Sequence, residues 1–322
     1  MRAAFITELG PAENIRIGEL PQPGIGPTDV LVAVDLVAAN RVDAFIRSGE
    51  YPTRTPFPFV VGRDLVGRVV AAGAGATFVE GDEVWCNSLG HEGRQGSFAE
   101  YAVVPNDRCY QVPSGVDPAT LVAVAHPAAT AYLGWFVHAR LRPGETVYVG
   151  GAGGNVGAAA TAMAKRAGAT VLASARPEDH DRCRIAGCDV VLDYRDPSFS
   201  DQLRRAAPSG IDVFWDTSGH HDFDVVAGVV GPRSRVLLTA AAVDRPRLPV
   251  ASLYTRDVSL CGFVISRASS AALAAAADLI TTMVADGSLR ARVSDVLPLS
   301  ATAEVHTRLE AGQVEGRVLL RP

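Results

Sequence analysis

Lysine is almost missing from this chain. Of its 30 basic residues only Lys165 is not an arginine. These residues form no run or basic face, and the formal net charge is −5, which argues against nucleic acid as a partner. Cysteine is also scarce. Cys86, Cys109, Cys183, Cys188 and Cys261 are odd in number and never form a C-x-x-C pair. That pattern argues against a disulfide framework or a cysteine metal lobe, and it suits the reducing cytoplasm. Residues 1–11 lack the apolar core of a signal peptide. The most apolar late segment, residues 268–284, is interrupted by Asp278 and reads as an alanine-rich helix, so no membrane association is expected.

The 322 residues suffice for two domains, and two textures follow each other along the chain. Residues 1–125 are rich in valine, glycine and proline, with strand-like runs at 30–37, 65–72 and 97–104 and a turn into a further strand at 81–84. Beyond residue 129 strands alternate with helices. The strands are expected at 146–150, 170–175, 189–193, 211–216, 234–239 and 257–264, and the helices at 155–167, 178–186, 198–206 and 222–229. Such alternation predicts an α/β, doubly wound parallel sheet. A helix at 270–285 and short strands at 293–298 and 317–320 make a tail too short for a domain of its own. The expected division is 1–125, 126–265 and a return segment, 266–322, to the first domain.

The richest signal lies at the first of these strands. Residues 146–150 end in Gly151, Ala152, Gly153, Gly154, Asn155, Val156 and Gly157, and an alanine-rich amphipathic segment follows. Strand, tight turn and helix start in that order make a dinucleotide site, with helix N–H groups facing pyrophosphate. Ala152, Gly154 and Gly157 fill the three fingerprint positions.

Several further motifs fit one family. Asn40-Arg41-Val42-Asp43 precedes Arg47-Ser48-Gly49-Glu50-Tyr51-Pro52. Pro58 to Asp64 is followed by Gly67 and Gly73, then by Gly96-Ser97-Phe98-Ala99-Glu100-Tyr101 and Thr130-Ala131-Tyr132. With the glycine turn, these motifs resemble the zinc-independent quinone oxidoreductase branch of the medium-chain dehydrogenase/reductase superfamily. The resemblance implies a GroES-like catalytic domain joined to a Rossmann domain. By the same resemblance Asn40 lies near the nicotinamide and Tyr51 lines the substrate side as a possible proton donor. Thr130 and the backbone at Phe263 meet the nicotinamide end, while Tyr194 and Arg317 meet the adenosine phosphate end. It also implies a homodimer, formed through the two-sided apolar edge strand at 258–265.

Zinc-dependent members hold the metal through a cysteine and a G-H-E histidine, among other ligands. Here Asn40 stands near the cysteine position and Gly62-Arg63-Asp64 replaces G-H-E, so no metal is expected. Gly90-His91-Glu92 spells the motif again, but in a polar loop where His91 is expected to be solvated. Asp43 and Arg47, four residues apart, are expected to pair. The second Rossmann strand ends in Ser174, Ala175 and Arg176 without the acid that would bind a ribose 2′-hydroxyl. Arg176 suits a 2′-phosphate, Ser174 offers a hydroxyl and Glu178 and Asp179 read as helix N-terminal charge, so NADPH is expected. Ser218 and His220-His221 sit where the fourth strand ends, on the ligand side of such a sheet.

Without a metal to stabilise an alkoxide, the favoured acceptors are electron-poor, a quinone or an α,β-unsaturated carbonyl. Two other functions fit the sequence: an enoyl thioester reductase of secondary metabolism, for which Arg54 and Arg63 are nearby basic candidates, and an NADPH-binding redox sensor. Loops 51–57 and 240–256 are expected to shape the acceptor pocket.

Overall fold

The computed structural model describes residues 1–241 and 245–322. Part of the expected pocket loop, residues 242–244, therefore lies outside the described residues. The chain forms two compact units, one of Met1–Ala129 with Ser269–Pro322 and one of Thr130–Ala268.

The first unit is built on β-sheet. Its spine is Asp29–Ala38, which pairs antiparallel with Leu65–Ala72 over Val30 to Leu36, with Tyr101–Pro105 over Asp29 to Ala33, and with Arg317–Arg321 at Val37 and Ala38. Register shifts at Leu31/Val32 and Val34/Leu36 allow one strand to serve several partners, because a bulge bends and twists the strand that carries it. A three-stranded sheet orders Arg16–Glu19, Arg2–Ile6 and Phe59–Val60. Val32, Leu65, Val69, Val84, Phe98 and Leu320 are completely buried in one core. The expected strand at 97–104 begins only at Tyr101. Residues Ser97–Glu100 instead bond two other segments, with Ala4 donating to Phe98 O and Phe98 N to Val61 O. Helices Arg41–Ser48 and Thr302–Glu310 were not anticipated by hydrophobic period, the first being short and fixed mainly by its caps.

The second unit is a six-stranded, all-parallel sheet. In space the strands run third, second, first, fourth, fifth and sixth: Val190–Asp193, Thr170–Ala175, Thr146–Gly150, Ile211–Asp216, Val230–Leu238 and Ser259–Gly262. This is the doubly wound order, and it places a topological switch beside the first strand, where ligands bind at the carboxyl ends. Covered on both faces, the strands are near-continuously apolar, and Val147, Val149, Val171, Ala173, Val213 and Trp215 are fully buried. Arg235 grips Glu145 with two bonds of 3.0 and 2.8 Å, fastening the fifth strand to the entry of the first.

One helix among the described residues, Pro118–Ala139, is long and apolar enough to cross a membrane. It is 67% buried inside the protein, as a core helix is. Its last turns, Leu133–Ala139, are π-helical. Trp135 there donates to Ala160 O at 2.8 Å and stands edge-on to Trp215. Gly134 leaves room for that pair, since a Cβ would fall 2.5 Å from the Trp215 ring and 3.2 Å from Phe263. Gly134→Ala should therefore overpack the second unit and lower its stability by about 1–3 kcal/mol. Denaturant unfolding followed by tryptophan fluorescence checks this, and an unchanged midpoint would contradict it.

Candidate active site

The glycine turn folds as a strand-to-helix elbow. Gly151 takes the left-handed conformation, φ 69°, so the neighbouring Ala152 needs no special backbone freedom. Gly154 caps the helix Asn155–Arg166 and its N–H bonds Gly151 O at 2.9 Å. Gly157 packs the helix directly against the turn, since a Cβ there would sit 2.3 Å from Gly151 O. Gly154 and Asn155 are exposed and Val156 is half-buried, at a helix N-terminus of the kind that attracts anions.

The surroundings of this elbow differ from expectation in two places. Ser174 is buried, its hydroxyl bonded to the Tyr148 hydroxyl at 2.7 Å, so it is a core contact rather than a ribose contact. Its backbone carbonyl accepts from Ala152 N. Asp179 stands at a helix start as expected, next to His180–Ile185, but it is buried rather than solvated. It is 7% exposed and lies against the turn, so that a Cβ on Gly153 would meet its carboxylate at 2.6 Å. Arg176 and Arg182 both bond this carboxylate, at 3.2 and 2.9 Å, and Arg182 also donates to Gly153 O at 2.6 Å. Arg182 went unnoticed in the sequence because only the fold returns its helix to the turn.

The end of the fourth strand closes the other side. A Cβ on Gly151 would meet Thr217 Oγ1 at 3.1 Å and Ser218 at 3.4 Å, and Ser218 bonds Asp216 at 2.6 Å through its hydroxyl. Phe263 receives its backbone bond from this sheet, N–H to Leu238 O, and its ring stacks on His138 at 4.4 Å. Tyr194 is half-exposed beyond the third strand, under the Arg195 guanidinium. Thr130 is buried near the end of its helix.

In the first unit the motif residues form a buried polar network. Asn40 caps helix Arg41–Ser48, and its backbone N–H is taken by Asp43 Oδ2 at 2.8 Å. Its side chain is saturated: Nδ2 donates to Ala38 O and to Asp64 Oδ2 (3.1 and 2.9 Å), and Oδ1 accepts from Arg317 Nη2 at 2.9 Å. Asn40 is thus a framework residue in this structure. Arg317, expected as a phosphate contact, is 5% exposed and committed to Asn40 and, at 3.9 Å, to Asp64. The expected Asp43–Arg47 pair does not form either. The Asp43 carboxylate is turned back to the cap, while the buried Arg47 pairs with Glu310 and donates to Gly10 O at 2.6 Å. Helix ends offer backbone partners that compete with the i,i+4 contact.

Burial dominates the electrostatics here. Desolvation pushes Asp43 up to about 7, with the Asp64 charge adding to it. It pushes Asp64 up to about 6 against the opposing pull of Arg317 and the Asn40 amide. His306 is held down to about 3 by burial and by the charge of Arg47. Burial, followed by the charges of Arg63 and Arg317, likewise keeps His126 well below its ordinary value.

His91, expected in solvent, is 4% exposed. Its Nδ1 lies 3.0 Å from Thr53 Oγ1 and its ring stands edge-on to Tyr51 at 6.0 Å. The loop is buried because the Gly90 backbone passes against Gly62, where a Cβ would come 2.5 Å from the carbonyl oxygen, and because Leu89 N bonds Arg63 O. The polar composition that suggested solvent serves internal bonds instead.

Residues 26–114 match the alcohol dehydrogenase GroES-like domain and residues 155–282 the zinc-binding dehydrogenase domain. The chain is 26% identical to the quinone oxidoreductase of Homo sapiens, over 99% of this chain and 97% of that one. A solved structure described as an NAD-dependent alcohol dehydrogenase is 31% identical and superposes over the whole of both chains with a TM-score of 0.90. A mycobacterial protein solved with NADPH is 27% identical over both full chains, with a TM-score of 0.86. The chain belongs to the medium-chain dehydrogenase/reductase superfamily, in its quinone oxidoreductase branch. It is an oxidoreductase using a nicotinamide cofactor.

The residues of this family member do not fit the zinc that one domain description names. At the positions that the motif resemblance aligns with zinc ligands stand Asn40, Arg63 and Asp64, and Asn40 bonds both Asp64 and Arg317. A buried guanidinium in that position repels a divalent cation. Among the described residues no group of three or more His, Cys, Asp or Glu side chains is arranged to hold a metal.

The raised carboxyls fix a pH dependence. Between about pH 4 and 7 the folded chain holds a proton on Asp43 that the unfolded chain has released, so this residue's contribution to stability falls as pH rises through that window. The depressed His306 and His126 act in the opposite sense, losing stability as pH falls below about 6.5. Asp43→Asn removes only the first effect. Its thermal midpoint relative to wild type should be higher at pH 8 than at pH 5, and an equal offset at both would refute the assignment.

Proposed function

We propose that this chain is an NADPH-dependent, zinc-independent reductase that transfers hydride to a quinone or to the β-carbon of an α,β-unsaturated carbonyl. The observation that carries the reading is the closed Asn40–Asp64–Arg317 network at the ligand positions of zinc-dependent relatives. Donors bonded to one another supply no Lewis acid for an alkoxide, which favours acceptors that take hydride without one. The bound nicotinamide supplies the hydride, and a proton from solvent or Tyr51 completes the two-electron reduction. In this reading residues 1–125 with 266–322 receive the acceptor and residues 126–265 hold the cofactor. Asn40 acts by fixing the helix that precedes Tyr51.

NADPH is favoured over NADH because the second strand ends in Ala175 and Arg176 rather than in an acid, and the NADPH complex of the mycobacterial relative agrees. Asp179 carries no free charge to repel a 2′-phosphate, being bonded by Arg176 and Arg182. We also assign a homodimer, through the exposed edge strand Ser259–Gly262, and a cytoplasmic setting that suits five free cysteines. Light scattering reading a monomer at micromolar concentration would remove the dimer from this proposal.

The deciding experiment measures NADPH and NADH oxidation with 1,4-benzoquinone, an alkenal and crotonyl-CoA, before and after chelation. Chelator-insensitive turnover of the quinone or alkenal with NADPH is expected. Turnover confined to crotonyl-CoA would favour the thioester reductase, and tight NADPH binding without turnover would favour a sensor. Arg176→Gln should lower kcat/KM for NADPH about tenfold more than for NADH, the scale of one charge-assisted bond. Equal losses would overturn the cofactor preference.

A further inference from the structure

Three arginines of the first unit gather around one serine. Arg94 reaches the Ser88 carbonyl at 3.5 Å and Arg108 the Ser88 hydroxyl at 3.3 Å. The third, Arg63, is fully buried, and the strap that carries Ser88 is laid over it, with Leu89 N on Arg63 O at 3.1 Å. Nε, Nη1 and Nη2 of Arg63 all lack a hydrogen-bond partner among the described residues, and so do Nε of Arg94 and the side-chain amide of the buried Asn87. None of the three arginines has a carboxylate within ion-pair distance among the described residues. Asp43, Asp64 and the Tyr51 hydroxyl face Arg63 from farther away, as Asp107 and Glu92 face Arg94. Of these, Asp64 engages Asn40 and Arg317 through Oδ2 and Asp43 engages the helix cap through Oδ2, while the Oδ1 of each has no hydrogen-bond partner among the described residues and bonds none of the three arginines.

Burial and mutual repulsion both penalise this arrangement. Arg94 is held below its ordinary value first by desolvation and then by the charges of Arg108 and Arg63. Guanidiniums gathered in this way with unused buried donors and no bonded carboxylate are costly, and an anion accepting several of those donors would offset the cost. A planar fork is matched to the two oxygens of a carboxylate or to a phosphate.

We propose that Arg63, Arg94 and Arg108, with Ser88 and Asn87, form a binding site for an oxyanion, a carboxylate or a phosphate carried by the acceptor. The assignment to the acceptor rests on the reductase reading; the anion site itself does not. Arg94 and Arg108 are half-buried and open the site to solvent, while Arg63 forms its floor beside Tyr51. The substrate is then an anionic enone or quinone rather than a neutral one.

Thermal unfolding of the full chain, saturated with NADPH, tests the site without turnover. Sodium acetate, sodium phosphate and sodium chloride are compared at equal ionic strength. Acetate or phosphate should raise the midpoint above that in chloride, and whichever acts at lower concentration identifies the group. The shift should vanish in Arg94→Gln and in Arg108→Gln, whose folding is checked by circular dichroism, and Arg108→Lys should retain part of it. Equal midpoints in all three salts would overturn the proposal. So would an anion effect present only without NADPH, which would give the site to the cofactor's own phosphate. For the acceptor, 4-oxopent-2-enoate should exceed its methyl ester about tenfold in kcat/KM, a preference lost in Arg108→Gln. Equal use of acid and ester would refute the acceptor assignment. Failure of both to react, with the thermal shift intact, would instead count against the reductase reading.

Discussion

Everything in the first unit hangs on the amide of Asn40. Its three side-chain hydrogen bonds join a helix cap, a strand end and a residue 277 positions later in the chain. Burying Asp64 and Arg317 together would be costly if either lost its partner, because the charge left behind cannot be resolvated. Asn40 lies between them, accepting from Arg317 and donating to Asp64, so each charge retains a bond. That arrangement fixes where the return strand Arg317–Arg321 meets Val37 and Ala38. It also fixes the cap from which helix Arg41–Ser48 runs towards Tyr51. A buried polar network of this kind contributes specificity of register more than net stability, since well-packed apolar residues could hold the same strands together without charge.

The second unit solves a different problem. A parallel sheet brings all its carboxyl ends to one side, and the crossover direction reverses beside the first strand, leaving a crevice there. The glycine elbow sits at that point. Its geometry is set by steric exclusion: Gly157 admits the helix to the turn and Gly151 supplies the left-handed residue, so Ala152 is tolerated. Arg182 then ties the elbow to the following helix through Gly153 O. The backbone of the elbow is therefore tied to the next helix without a ligand, which would lower the ordering cost if a cofactor phosphate binds there as proposed.

Much of this was legible in the residues, and what was not has common causes. Strand and helix periods located the six parallel strands, because a sheet buried on both faces leaves long apolar runs between turn residues. What failed were inferences about where a polar side chain points. Ser174 turned inward to Tyr148 and His91 into a buried strap, while Asp179, at a helix start as expected, packs on the glycine turn as well. A sequence shows a hydroxyl, a carboxylate or an imidazole; whether it meets solvent depends on which distant backbone passes over it. Gly90 against Gly62 is such a contact, between glycines 28 positions apart, and no periodicity announces it.

In the proposed zinc-independent reading, the same reasoning extends to what would stand in a metal's place. A zinc site places a compact positive charge, balanced by its own ligands, where negative charge develops in the reaction. Once the ligands become an amide and a guanidinium, positive charge can still be fixed at that place, but only by burying an arginine. Arg63 is that residue, and its burial is tolerated because Asp43 and Asp64 lie near enough to lower its electrostatic cost without bonding it. Arg63 in turn pulls the proton affinity of both carboxyls down, against the burial that raises it. A fixed guanidinium differs from a metal in one respect that matters for chemistry: it donates hydrogen bonds in a plane and takes no fifth ligand. It therefore selects for the shape and charge of what it meets, where zinc would select for a lone pair.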